Sequence, residues 1–207
     1  MESRERALER ARWLLSEANS RFLLGIFGKP GAGKSTFAQY LVENMPRKQV
    51  CILPMDGFHL SNNVLVDLDL RSRKGAPETF DVSGFASLLA RTKTTLDRSI
   101  FFPVFNRALE ESISGEGEIT PSTKLVIVEG NYLQFSGPGW DQVAPLLDES
   151  WYLQLDESVR MKRLIDRHVS FGKSEGDASI WAREMDERNA VLIESTASKA
   201  DYLVNLD

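Results

Sequence analysis

Short runs of consecutive apolar residues alternate along the chain with segments whose apolar positions recur every three or four residues. Phe22-Leu23-Leu24-Gly25-Ile26-Phe27 is nearly continuous, the pattern of a strand buried on both faces. Val50–Leu53, Leu125–Val128, Trp151–Leu155 and Tyr202–Val204 repeat it. Ile100–Phe105 has the same character, but Pro103 removes a ladder donor and demotes the run to an edge or irregular piece. Leu8, Ala11, Leu15 and Ala18 predict a helix over 3–19, ahead of the first strand. Further helices are predicted at 34–44, 83–93, 139–147, 157–170 and 177–198, while 56–82 and Ser114–Glu118 read as loops. Strands separated by helices imply parallel pairing with right-handed crossovers, hence an α/β sandwich. Neither an internal repeat nor a domain boundary is visible, so residues 1–207 are expected to form one domain.

Composition narrows the class. Of 207 residues, 42% are hydrophobic and 27% charged, which argues against disorder and fibrous repeats. Cys51 is the single cysteine, so folding relies on no intrachain disulfide and a reducing compartment is expected. A net charge of −5 speaks against a nucleic-acid partner. Met1-Glu2-Ser3-Arg4-Glu5-Arg6 alternates charge and leads into no apolar signal core, and no run reaches about 18 apolar residues. The expectation is a cytoplasmic protein with no membrane partner. Two histidines and one cysteine offer no zinc spacing, and no G-x-S-x-G elbow occurs.

The strongest chemical signal is Gly28-Lys29-Pro30-Gly31-Ala32-Gly33-Lys34-Ser35, followed by Thr36. It satisfies G-x-x-x-x-G-K-[ST] and sits between a predicted strand and a predicted helix. The glycines let backbone N–H groups turn onto phosphate oxygens at a helix N-terminus. Lys34 can reach the β- and γ-phosphates, and the Ser35 hydroxyl can ligate Mg²⁺.

Two acids follow predicted strands, where open α/β sheets bind ligands. Glu129, after Leu125–Val128, stands where a Walker B acid would; the plain alternative is a solvated strand cap. Asp56 opens Asp56-Gly57-Phe58-His59 and could take the proton of an attacking hydroxyl, or simply cap a helix near 59–65. His59 is evenly balanced between structural and functional readings. Arg160, Arg163 and Arg167 fall at i, i+3 and i+7, one helix face that could clamp transferring phosphate or be merely solvated. Arg71, Arg73 and Lys74 precede a Gly–Pro loop, either a substrate contact or an exposed connection.

Taken in order, these motifs resemble the phosphoribulokinase/uridine kinase family. The matching pieces are Gly28–Thr36, Met55–His59, Lys74–Asp81, Pro103–Phe105, Val128-Glu129-Gly130-Asn131-Tyr132 and Arg160–His168, and the resemblance covers roughly residues 20–207. It looks most like the pantothenate-kinase-like branch of small bacterial kinases, often labelled fructokinase or fructose-transport kinase. The resemblance implies a P-loop kinase fold, a three-layer α/β/α sandwich with a five-stranded parallel core and an arginine-bearing lid at about 160–176. It also implies ATP and Mg²⁺, the metal being held by Ser35 with Glu129 or Asp56, and a small-molecule hydroxyl acceptor bound around 56–82. Asp56 takes the general-base position, Glu129 that of the Walker B acid, and Arg163 and Arg167 fall in the lid. His59, Lys74, Phe80 and Arg107 would border the acceptor pocket. Where relatives usually show an acid after the Pro-x-aromatic pair, this chain has Asn106, which puts acceptor preference in question. Fructose-like sugars, nucleosides and pantothenate all remain open as acceptors, and a homodimer is the candidate assembly. A GTP switch is disfavoured by the lack of Asn-Lys-x-Asp, and a non-catalytic nucleotide-binding module by the joint presence of Lys34, Ser35, Asp56 and Glu129.

Overall fold

The computed structural model describes residues 2–206. Its strands are β1 (Phe22–Phe27), β2 (Val50–Pro54), β3 (Ile100–Asn106), β4 (Glu111–Ile119), β5 (Leu125–Gly130), β6 (Glu149–Gln154) and β7 (Tyr202–Asn205). Five of them pair in parallel in the order β2-β5-β1-β6-β7, the core sheet that the alternation of runs and helices predicts. The helices are α1 (Arg4–Glu17), α2 (Lys34–Glu43), α3 (Asn62–Asp67), α4 (Val82–Thr94), α5 (Glu157–Ser170), α6 (Glu175–Trp181) and α7 (Glu187–Glu194).

Continuous apolar strands are needed because both sheet faces are covered. Leu24 and Ile26 of β1, with Leu125 and Ile127 of β5, pack against α1 and α2 through Leu8, Ala11, Leu15, Phe37 and Leu41. Leu23, Phe27, Val126 and Val128 point the other way, toward Phe85 and Leu89 of α4 and toward Tyr132 and Trp140. Each fully buried Leu or Ile contributes about 1.5–3 kcal/mol, so the two layers together supply most of the cohesion. Helix starts are set by side-chain caps: Ser3 accepts from the Arg6 N–H, Asp81 from Gly84, and Asp156 from Ser158 and Val159. Arg21, just ahead of β1, is buried and donates to the carbonyls of Thr92, Thr95, Thr120 and Thr123, tying the end of α4 to the turn before β5.

Four sequence expectations change. Ser114–Glu118 is no loop: it lies in β4, paired antiparallel with β3 in a two-stranded hairpin outside the main sheet. Pro103 falls at a register shift between Phe102 and Val104, the irregularity its missing donor predicts. The predicted helix at 139–147 is two 3₁₀ turns, Trp140–Gln142 and Ala144–Leu146, because Pro145 interrupts any longer ladder. The predicted helix at 177–198 is α6, a π turn at Ala182–Asp186, and α7. Finally, 56–82 carries short helical turns at Met55–Phe58, Arg71–Arg73 and Pro77–Thr79 besides α3.

Candidate active site

The sheet order decides what can meet. β5 lies between β1 and β2, with Glu129 in register with Ile26 on one side and Pro54 on the other. The loop after β1 and the turn after β2 therefore flank Glu129, at the carboxyl ends of three adjacent strands.

The loop Gly28–Gly33 joins β1 to α2. Gly31 and Gly33 adopt φ of 83° and 88°, the left-handed region open to glycine, and Gly33 is the N-cap of α2. Lys34 folds its ammonium back onto the carbonyls of Gly28 and Lys29, at 2.9 and 3.2 Å. Burial pushes this lysine down to about 8, opposed by the charges of Glu129 and Asp56 and assisted by Arg167 and Arg107. Ser35 and Thr36 are exposed on the first turn of α2. Lys29 turns its side chain outward, to Glu157 at 2.9 Å and Glu194 at 3.5 Å.

Ser35 Oγ donates to Glu129 Oε1 at 3.1 Å. Glu129 is 7% exposed, and burial, followed by repulsion from Asp56, raises its carboxyl above the usual range. A hydroxyl beside a carboxylate gives hard oxygen donors suited to Mg²⁺, an ion that keeps waters and shares phosphate oxygens. Among the described residues no group of three or more His, Cys, Asp or Glu could hold a metal. The Ser35 hydroxyl and the Glu129 carboxyl are two oxygen donors that this end of the sheet offers to such an ion.

Asp56 sits in the 3₁₀ turn Met55–Phe58. It does not cap the following helix, since Ser61 accepts from the Val64 N–H and takes that place. Its Oδ2 pairs with Arg107 Nη2 at 3.2 Å, an ion pair partly open to solvent. Backbone contact wedges the turn in place: a Cβ on Gly57 would overlap the Pro103 carbonyl, and one on Gly130 would lie 2.5 Å from Met55 Cβ. Both acids are followed directly by glycine, the one sequence signal that could have exposed this close fit.

Beyond Asp56 stands an aromatic wall. The His59 ring lies 4.1 Å from that of Phe80 and 4.8 Å from that of Phe105. His59 Nδ1 is 2.7 Å from the Asp56 carbonyl, which can only accept, so Nδ1 carries the proton. Burial lowers the histidine below its ordinary value and keeps it neutral near pH 7. Lys74 donates to Asn62 Oδ1 at 2.7 Å and to the Glu110 carbonyl, and its ammonium lies 5.0 Å from the centre of the Phe105 ring. Tyr132 and Trp140, absent from the expected site, hold this segment: they donate to the carbonyls of Gly75 at 2.7 Å and Pro77 at 3.2 Å. Asn106 Oδ1 accepts from the N–H groups of Ala108 and Leu109, at 3.0 and 3.1 Å. That oxygen is therefore occupied within the hairpin turn.

The arginine stripe of α5 divides three ways. Arg160 is fully buried and bound to Glu157, Glu187 and the Pro30 carbonyl. Arg163 is exposed, with Nη1 3.4 Å from where a Cβ on Gly33 would stand. Arg167 is half-buried, and burial followed by repulsion from Arg107 lowers its value, while Asp186 and Asp56 oppose the shift. The structure thus gathers Lys34, Ser35, Asp56, Glu129, Arg107 and Arg167 into one electrostatic cluster, with Arg163 over the loop.

No protein-family model matches the chain. A Schizosaccharomyces pombe protein provisionally named uridine kinase is 35% identical over 166 residues, which cover 76% of this chain and 71% of the relative. A pantothenate kinase from Enterococcus faecalis is 31% identical over 151 residues, 70% of this chain and 49% of that longer protein. A crystal structure from Silicibacter sp. TM1040, provisionally named a fructose transport system kinase, superposes with a TM-score of 0.83 at 34% identity, covering 95% of this chain and 97% of that one. These relatives and the solved structure are named as kinases, and among the described residues no helix is long and apolar enough to cross a membrane. On this likeness, the chain belongs to the phosphoribulokinase/uridine kinase family of P-loop small-molecule kinases.

Proposed function

We propose that the chain transfers the γ-phosphoryl group of ATP to a hydroxyl of a small molecule, of the sugar, nucleoside or pantothenate-like class. One observation carries the reading. Lys34, the Ser35–Glu129 pair and Asp56 converge at the ends of β1, β5 and β2, the side on which such sheets bind ligands. In this reading the backbone amides of the loop 28–36 cradle the phosphates, and Lys34 leaves its carbonyl partners for the β- and γ-phosphate oxygens. The Ser35 hydroxyl and Glu129, which lie in hydrogen-bond contact, would hold Mg²⁺, and the ion would supply positive charge beside the phosphates.

Asp56 accepts the proton of the acceptor hydroxyl as the new O–P bond forms and the bond to the departing diphosphate breaks. For that, Arg107 must loosen its hold on the carboxylate. Arg163 and Arg167 offset charge on the group in transit. His59, Lys74, Phe80 and Arg107 line the acceptor side, and the neutral imidazole presents a face and not a charge. The relatives' names, with uridine, pantothenate and fructose among them, define the first acceptors to try.

The test is ATP consumption over fructose, uridine and pantothenate, with mass spectrometry of the products. The expected result is one class of acceptor gaining a single phosphoryl group. Nucleotide binding with no phosphorylated product across a broad alcohol panel would instead leave a non-catalytic module.

A further inference from the structure

The first arginine of the α5 stripe does something other than meet phosphate. Arg160 has no exposed surface, and its Nη1 donates to the Pro30 carbonyl at 3.0 Å. The same guanidinium is braced by Glu157, through Nε at 2.9 Å and through Nη2, and by Glu187 at 2.6 Å from the start of α7. Lys29, next to Pro30, is tied to Glu157 and to Glu194 at the other end of α7. Backbone packing follows the same line: a Cβ on Gly31 would lie 2.9 Å from the Arg160 carbonyl.

The Pro30 carbonyl and the Gly31 N–H belong to one planar trans peptide and point in opposite directions. A donor that fixes the carbonyl toward α5 therefore fixes the N–H away from α5. Gly31 is at φ 83° and Pro30 has no N–H of its own, so this peptide has little else to orient it. We infer that Arg160 is a positioning residue for nucleotide binding: by holding the Pro30 carbonyl it aims the Gly31 amide into the phosphate cradle. The inference rests on the nucleotide-binding reading of the loop and extends it to a residue outside the loop.

Charge is not the means. Arg160 and Lys29 face three carboxylates, Glu157, Glu187 and Glu194, so the brace offers phosphate no net positive field. Its effect should therefore persist in high salt, unlike that of an exposed cation such as Arg163.

The experiment measures binding of ATP, ADP and inorganic tripolyphosphate to the parent protein, Arg160→Met, Arg160→Lys and Glu187→Gln, at low and high salt. Melting temperature and acceptor KM are recorded alongside. A misaimed amide costs the equivalent of one charge-assisted hydrogen bond, so Arg160→Met should weaken all three ligands about 10- to 100-fold at either salt concentration. Arg160→Lys should recover part of the loss, and acceptor KM should stay within about twofold. Glu187→Gln removes part of the brace without touching the loop or opening a cavity, and should give a smaller loss in the same direction. It serves as the test if Arg160→Met fails to fold. The inference is overturned if the folded variants bind tripolyphosphate as the parent does. It is equally overturned if they lose phosphate and acceptor binding together in step with melting temperature. A parent that binds no nucleotide at all overturns the reading beneath it as well.

Discussion

The proposed phosphate side and the proposed acceptor side of the site are built on different plans. On the phosphate side, consecutive residues from Gly28 to Thr36 leave a central strand buried at every position after Phe22 and enter α2 within a few residues. On the proposed acceptor side, Asp56, Lys74, Phe80 and Arg107 come from four separate stretches, held by the β3–β4 hairpin, by Tyr132 and by Trp140. None of those four residues lies on a strand of the core sheet. One half is a local structure on a rigid base; the other is assembled by long-range contacts. The contrast predicts that single substitutions will separate ATP binding from acceptor turnover.

The largest effect should come from Lys34→Ala. It removes a cation from the meeting point of Gly28, Glu129 and Asp56, and kcat should fall by about 10³-fold or more, with weaker ATP binding. Asp56→Asn should cost about 10²- to 10⁴-fold in kcat, yet leave the ATP dissociation constant within about threefold. Turnover near parental levels in Asp56→Asn, with the true acceptor at saturation, would remove it as the base. If both variants lost ATP binding equally, the two sides would not be separable and the comparison would break.

Gly57→Ala tests the join between the halves. Its new methyl would overlap the Pro103 carbonyl, so the turn carrying Asp56 and the hairpin carrying Arg107 must separate. Overpacking of this kind costs about 1–3 kcal/mol of stability. Calorimetry should show the lower melting temperature, while kinetics should show a raised acceptor KM and a lower kcat with nearly unchanged ATP affinity. A variant as stable and active as the parent would mean that the wedge is slack.

The same contrast explains what could be read from sequence. The phosphate loop and the core sheet were legible because their signals are contiguous: eight loop residues in a row, and strands such as Leu125–Val128 with no polar interruption. β4 was not, because five of its nine residues are exposed and all but Ile113 and Ile119 are Ser, Gly or Glu; only pairing with β3 makes it a strand. Gly117 there marks no flexible loop, since Phe102 lies across the position a side chain would fill. Spacing placed Arg160, Arg163 and Arg167 on one face but could not tell which would be buried. That depended on where α7 delivers Glu187. The helix predicted at 177–198 holds over 175–194 but carries a π turn partway along, an extra residue that a fixed 3.6-residue period cannot register.

The smallest predicted effect concerns pH and belongs to the phosphate side. Burial holds the Lys34 ammonium at about 8 in the free protein, with Glu129 and Asp56 pulling it up and Arg167 and Arg107 pushing it down. Phosphate oxygens add negative charge beside it, so nucleotide binding must raise that value. Below pH 8 the lysine is already charged and ATP binds without taking up a proton. Above pH 8 binding must recruit one, and affinity should fall by at most about tenfold per pH unit. Titration calorimetry in buffers of different ionisation enthalpy should detect proton uptake near pH 8.5 and little near pH 7. The free protein should behave in the opposite sense: its unfolded chain binds more protons between 8 and the ordinary lysine value, so stability should rise across that window. Glu129, raised by burial and by Asp56, gives a complementary slope at lower pH, where Mg²⁺ must displace a proton and its affinity should grow as pH rises. Lys34→Arg, charged throughout, should abolish the loss of ATP affinity above pH 8; a slope that survives in this variant would move the titrating group elsewhere in the site.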